Sequence, residues 1–253
     1  MEKNNIFVGT SGWTYADWQG TFYPENVKGP DRLVYYAGKF NTVEVNSTFY
    51  RIPYGTMIKA WNQKLGPGFH LVVKGSRAVT HLKKLKDCQE PLQVFLDRVL
   101  QLNRLQVILW QLPPSLHKDV KLFDSFLSQL PKQVRHAVEF RHKSWWDKEV
   151  VEVLSKHDSA FVSLSHPQLP DMVYPTTDFL YLRFHGLGKN LYQYNYSDDE
   201  LTKAAIVVTS HLAGRTLYAF FNNDYHAFAP TNAETFRQML GQGGAFEQLK
   251  PRA

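Results

Sequence analysis

The chain carries a single cysteine, Cys88, among 253 residues. Intrachain disulfides, zinc knuckles and paired-thiol redox motifs all need at least two, so each is excluded. Cys88 opens a helix-patterned stretch and reads as a buried thiol rather than a nucleophile. No apolar run approaches the ~20 residues of a membrane span, and the opening MEKNNIFVGTSGW lacks the apolar core of a secretion signal, so the sequence predicts a cytoplasmic protein that does not enter a membrane. Phosphate-cradling loops are also missing: GTSGW is too short for a P-loop or a dinucleotide fingerprint and opens no helix. There is no G-x-S-x-G elbow, which leaves Ser11, Ser76 or Ser165 with His185 as a weak basis for nucleophilic catalysis. Internal repeats and low-complexity tracts are absent too.

What is present is ordinary in bulk. Apolar residues make up 43% and charged residues 21%, as in a globular domain. The 14% aromatic content is high and suits a stacking or sugar-like surface. A net charge of +6 favours anionic partners, although Lys83, Lys84 and Lys86 form the one dense cluster and a solvated face explains most of the rest.

The main signal is a rhythm. Short apolar β-type runs recur at Phe7 to Gly12, Thr42 to Tyr50, His70 to Ser76, Val107 to Pro113, His136 to Arg141, Ala160 to His166, Phe179 to Gly186 and Thr216 to Asp224. Helix-period segments lie between most of them, at 31–40, 54–65, 87–102, 119–130, 147–157 and 198–212, with another at 231–240 after the last run; several open on an Asp or Thr that serves as an N-cap. Eight strands with crossover helices in roughly 250 residues is what a closed parallel barrel requires. The sixth connection, HPQLPDMVYPTTD, places three prolines in thirteen residues and forbids a regular helix. The expected fold is therefore one α/β domain over 1–253, a (β/α)8 barrel with the helix between strands 6 and 7 missing or degenerate. Its core covers about 6–240, and a Gly-rich tail at 241–253 is expected to attach loosely.

Such barrels build their sites at the C-terminal ends of the strands. Side chains two apart share a strand face, which pairs Glu44 with Asn46, Lys74 with Ser76, Glu139 with Arg141, Arg183 with His185, and Asn222 with Asp224. Ser11, Gln111, and Ser163 with Ser165, join them from strands 1, 4 and 6. The opposite faces (Val43, Val45, Val138, Phe140, Leu182, Phe184) are apolar and suit the helices. Charged residues pointing into a barrel need mutual neutralisation or a ligand. Their clustering at one end favours a ligand. The loops after strands 1 and 7 are long and aromatic, and form either a mouth and lid or a plug.

With these strings assembled, a family is recognisable. GTSGWTYADWQGTFYP, FNTVEVNSTFYRIP, VVKGSRAVTH, LWQLPPS, HAVEFRHKSWW, FLYLRFHG and FFNND resemble the YecE-like family, also called domain of unknown function 72, from about Phe7 to Leu240. The resemblance implies a TIM barrel in bacterial cytosolic proteins whose activity is not established. Its motif positions fall on Gly9, Ser11, Gly12, Trp13, Glu44, Asn46, Tyr50, Lys74, His81, Gln111, Pro113, Glu139, Arg141, Trp145, Arg183, His185, Gly186, Asn222, Asn223 and Asp224.

Several chemistries fit the strand ends. Glu44 and Glu139 could flank a sugar as in a glycosidase, but neighbouring cations hold both ionised, which is poor for a general acid. A metal site from Glu44, Glu139, His166, His185 and Asp224 would serve phosphodiester cleavage, with Trp13, Trp18, Trp145 and Tyr192 stacking an unpaired base of a nucleic acid; nearby cations oppose the metal. A non-catalytic binding protein could use the same pocket. The favoured expectation is an enzyme of the hydrolase, lyase or isomerase kind, without a cofactor or metal, that takes a small phosphorylated or carboxylated ligand through Lys74, Arg141 and Arg183. Glu44 or Glu139, with Asp224 as a further carboxylate, would be the base, His185 the acid or shuttle, and Asn46, Gln111 and Asn222 would fix hydroxyls, with Trp13 and Tyr192 covering the ligand. A ligand-facing Glu139 should tolerate Glu139→Gln with little loss of stability.

Overall fold

Every expected strand forms, although the second, expected over Thr42 to Tyr50, ends at Val45 and passes into a helical turn at Ser47–Tyr50. The computed structural model describes residues 6–241. Its strands are β1 (Ile6–Thr10), β2 (Thr42–Val45), β3 (His70–Lys74), β4 (Leu105–Gln111), β5 (Arg135–Glu139), β6 (Ser159–Ser165), β7 (Phe179–Phe184) and β8 (Thr216–Phe221). They pair in parallel in the order β1-β8-β7-β6-β5-β4-β3-β2, and β1 meets β2 where the barrel closes. Around them lie α1 (Arg32–Ala37), the single turn α2 (Ser47–Tyr50), α3 (Gly55–Lys64), α4 (Gln89–Val99), α5 (Val120–Leu127), α6 (Lys148–Lys156), α7 (Asp198–Leu212) and α8 (Phe228–Gly241). This is a TIM-type barrel. The expected tail lies, from residue 242 on, outside the described residues.

Local chemistry sets the helix starts. The Asp119 and Asp147 side chains accept from the Leu122 and Glu149 amides, and Ser197 with Glu200 forms a reciprocal capping box at α7. Helix α8 begins at Phe228, ahead of the expected Thr231, whose hydroxyl bonds back to the Ala227 carbonyl. The proline-rich connection from 166 to 178 contains no helix. Among the described residues no helix is long and apolar enough to cross a membrane.

Two apolar layers result from strand alternation. Phe7, Val72, Val107, Leu109, Ala137, Ala160, Val162, Leu164, Phe179, Tyr181, Tyr218 and Phe220 fill the lumen. Val43, Val45, Trp110, Val138, Phe140, Leu182, Phe184 and Phe221 face the helices. The phase expected for β6 is corrected here: Ala160, Val162 and Leu164 point inward, so Ser163 and Ser165 point outward. Ser165 Oγ lies 2.8 Å from the Tyr196 hydroxyl, and no helix follows β6 to demand an apolar outer face. The nucleophile pairing of Ser165 with His185 falls with that phase. Cys88 is fully buried, as expected, at the N-terminus of α4.

The seam between β1 and β2 has no ladder among the described residues. One hydroxyl bridges it instead. The Thr10 amide donates to Tyr36 Oη at 2.9 Å, and Tyr36 Oη donates to the Thr42 carbonyl at 3.1 Å. The strands approach closely enough that a Cβ at Gly9 would stand 2.4 Å from the Thr42 oxygen. Tyr36→Phe should therefore strand two buried backbone groups and cost about 1–3 kcal/mol. Chemical denaturation reads the loss, and hydrogen exchange should show the Thr10 amide losing protection; unchanged exchange would place the closure elsewhere.

Candidate active site at the barrel mouth

Arg183 enters the lumen from β7 and lies between two carboxylates from other strands. Its Nη1 donates to Glu139 Oε2 at 2.5 Å and its Nη2 to Glu44 Oε1 at 2.6 Å, and all three side chains have no exposed surface. Ser11 Oγ and the Tyr181 hydroxyl donate to the two oxygens of Glu44 at 2.7 and 2.6 Å. Gln111 Nε2 donates to Glu139 Oε1 at 2.7 Å, and Arg141 Nε donates to the same oxygen. Burial alone would raise the Glu139 pKa, but Arg141 and Arg183 outweigh it and hold the carboxyl well below its ordinary range. Burial likewise opposes the Arg183 charge, and Glu139 and Glu44 more than restore it.

His185 completes the chain. Arg141 Nη2 approaches its Nε2 at 3.0 Å, and the Asn222 amide approaches its Nδ1 at 3.1 Å. Arginine can only donate, so Nε2 must accept. Burial first, then Arg141 and Arg183, push the His185 pKa well down. The ring is therefore neutral with its proton on Nδ1, and the Asn222 amide must turn its oxygen toward that proton. Asn46 meets Asn222 at 3.4 Å and ends the chain.

Above this floor opens a cavity of about 660 Å³, lined by His81, Gln111, Arg141, His142, Lys143, His166 and Tyr192 among others. Tyr192, with φ +72°, is held by its amide donating to the His185 carbonyl at 2.8 Å and presents its ring edge-on to the imidazole. Gly186, at φ +96°, makes the turn beneath it, where a Cβ would strike Tyr194 at 2.6 Å. Lys74 differs from the other cations. Its amine lies 4.4 Å from the centre of the Phe49 ring and has no hydrogen-bond or ion-pair partner among the described residues. Burial, then Arg183, pulls its pKa from the ordinary 10.5 to about 8. Burial, then Lys74 and Arg141, takes His81 to about 4, and burial with Arg141 lowers His166.

A search of protein families matches residues 7–253 to the model described as "Protein of unknown function DUF72". The chain belongs to the DUF72 family. It is 27% identical over 145 residues to the UPF0759 protein YecE of Escherichia coli K12, covering 56% of this chain and spanning about half (51%) of YecE. It is 23% identical to the UPF0759 protein YunF of Bacillus subtilis, over 93% of this chain and 94% of YunF. A crystal structure of a DUF72 family protein from Thermotoga maritima superposes with a TM-score of 0.79 at 34% identity, covering 93% of this chain and 99% of that one. A DUF72 protein from Enterococcus faecalis gives the same TM-score at 19% identity, over 95% and 99%, and so speaks to fold alone.

In this DUF72 barrel the structure unites Glu44, Asn46, Gln111, Glu139, Arg141, Arg183, His185 and Asn222 in one bonded chain, with Lys74 at the same end of the lumen. Two expected members stand apart. Trp13 follows the positive-φ Gly12, is 9% exposed and packs edge-on against Trp61 of α3 at 5.8 Å. Asp224 lies beyond the last β8 ladder residue, and its side chain makes no bond to the network; burial raises its pKa, with Asp17 adding to the effect. Of the rings expected to stack a base, Trp18 and Trp145 are also buried, and Tyr192 alone is exposed. Among the described residues no three His, Cys, Asp or Glu side chains are grouped so as to hold a metal ion. Two contributors, Tyr181 and His142, were not singled out from sequence, and His81 entered only as a motif position of the resemblance. Tyr181 shares a face with Arg183 and was open to the same alternation; His81 and His142 lie past strand ends, where alternation gives no direction.

The geometry reverses the expectation for Glu139. Its carboxylate is fully buried between two guanidinium groups, so Glu139→Gln should cost about 3–5 kcal/mol. With its folded pKa depressed, this stabilisation is complete above the ordinary 4.5 and fades as pH falls below it. Denaturation of the wild type and variant from pH 7 downward should show the two curves converging; a loss under about 1 kcal/mol at pH 7 would show that the ion chain does not hold the barrel.

Proposed function

We propose that this DUF72 barrel binds a small phosphorylated or carboxylated ligand in the mouth cavity and is an enzyme acting on it. One observation carries the reading. At this end of the lumen, the three cations Lys74, Arg141 and Arg183 stand against the two carboxylates Glu44 and Glu139, which leaves one positive charge, that of the unpaired Lys74, near a cavity that Lys143 also borders. An uncompensated charge in a poorly solvated place is costly, and an anion arriving there relieves the cost. The cavity volume is within the ~300–1,000 Å³ usual for small-ligand sites.

Roles follow from access. Arg183 is consumed by its two carboxylates and shapes the floor; Arg141 and the Gln111 amide line the cavity and meet the ligand there, while Lys74, 8% exposed and outside that lining, meets the part of the ligand that reaches past them. Glu44, Glu139 and His185 have no exposed surface and support from below. Acid and base work falls to the histidines that line the cavity, His81, His142 and His166. Tyr192 covers the opening.

Inorganic phosphate or sulfate should raise the melting temperature by linkage, where chloride at equal ionic strength does not. Affinity should fall as pH rises through about 8, because the protonated Lys74 amine is the form that attracts the anion. Without ligand the sign is opposite. The unfolded chain holds the Lys74 proton up to the ordinary 10.5, so stability should rise with pH between about 8 and 10.5. Lys74→Met should remove this rise and most of the phosphate response while raising ligand-free stability at pH 7. If Lys74→Met is destabilised and still responds to phosphate, the reading fails.

A further inference from the structure

We propose that Lys74 is a Schiff-base lysine, and that the ligand of the mouth cavity is therefore an aldehyde or ketone bearing a phosphate or carboxylate. This rests on the anionic-ligand reading and names its reactive group. The geometry around the amine carries it. Two carboxylates lie in the same end of the lumen, yet both are saturated by arginine, serine, tyrosine or glutamine donors, so the amine is left unpaired. It packs over an aromatic face instead, 4.4 Å from the Phe49 ring centre. An amine so placed loses hydration without gaining a counter-charge, and its free-base form is favoured. The pKa near 8 agrees with this.

The same phenyl ring holds a proton carrier beside it. His81 packs edge-on against Phe49 at 4.8 Å and lines the cavity. With Thr80 Oγ1 donating its one hydrogen to the Ser76 carbonyl at 3.3 Å, it accepts at 2.9 Å from His81 in the tautomer that carries the proton on Nδ1. The Nε2 lone pair is then free. In the reaction, the Lys74 lone pair attacks the carbonyl carbon, a C–N bond forms and the C=O π pair moves to oxygen. One ammonium proton passes through His81 Nε2 to that oxygen, giving a carbinolamine. A second proton, taken from solvent through the same ring, lets the hydroxyl leave as water while the nitrogen lone pair forms the C=N bond. The net change is amine plus carbonyl plus proton to iminium plus water. The iminium keeps the positive charge that the bound anion balances, with Arg141 facing the anionic group.

The test uses pyridoxal 5′-phosphate as a phosphorylated aldehyde, with borohydride trapping and peptide mapping of the intact wild-type chain at pH 8. A lysine at the ordinary 10.5 has under about 1% free amine at that pH, so Lys74 should be labelled at least about tenfold faster than any other lysine. Phosphate should slow the labelling, and unphosphorylated pyridoxal should react more slowly. Label spread over other lysines with no preference for Lys74 overturns the inference, and a phosphate-induced rise in melting temperature in that same sample would leave the anionic-ligand reading standing. Equal labelling of Lys74 by both aldehydes, untouched by phosphate, overturns the anionic substrate class named here and the reading beneath it. His81→Gln should slow trapping at Lys74 several-fold and remove its dependence on a group titrating in the acidic range; an unchanged profile overturns the role of His81.

Discussion

Arg183 is the constraint on which the upper half of the barrel depends. It stands on β7 and joins Glu44 on β2 to Glu139 on β5, so one guanidinium ties three strands across a lumen that apolar side chains fill below. A planar fork with donors on two edges suits this task, because each edge can meet a different carboxylate. The cost of burying three charges is large, and the chain meets it by satisfying nearly every lone pair of the two carboxylates. That saturation has a functional consequence. Glu44 and Glu139, catalytic by residue type, are saturated by their donors, and the open valences lie on residues above them.

The barrel thus separates into layers with different duties. The apolar lumen and the Tyr36 bridge close the cylinder, and the ion chain caps it. Above the cap, Arg141 is the one side chain that belongs to both layers. Its Nε serves Glu139, its Nη2 meets His185, and it also lines the cavity. Anything that binds Arg141 from above therefore acts on the field at Glu139 and His185 below. Coupling of this kind needs no moving part.

Legibility followed the physics of alternation. On β2, β3, β5 and β7 a charged residue marked the inward face, and on β2, β5 and β7 apolar helix-facing partners confirmed the phase, so Glu44, Lys74, Glu139 and Arg183 could be placed from sequence. On β6, SAFVSLS offers serines on one phase and small aliphatics on the other, and polarity points the wrong way. The lumen takes Ala160, Val162 and Leu164, and the serines face a side where the proline-rich connection supplies no helix. Alternation also stops where the ladder stops. Trp13 and Asp224 lie past it and were assigned by a rule that no longer applied. Asn46 lies past it as well and joins the chain, because the α2 turn begins there and directs its amide toward Asn222. Nor does sequence reveal saturation: the same charged and polar residue types describe an open pocket and a sealed ion chain, and only distances tell them apart.

The surplus cation is the feature that asks for a functional explanation. If the mouth needed only a fixed positive charge, an arginine at position 74 would give it more firmly, since a guanidinium keeps its proton under any condition the fold survives. A lysine in a desolvated place is the opposite choice: its charge is conditional and can be given up at mildly alkaline pH. Two arginines beside it already occupy the roles that a permanent charge can fill. The proposed role, in which the proton comes and goes or nitrogen bonds to carbon, requires the arrangement seen here. The amine is held against Phe49, away from any carboxylate that would lock it as an ammonium.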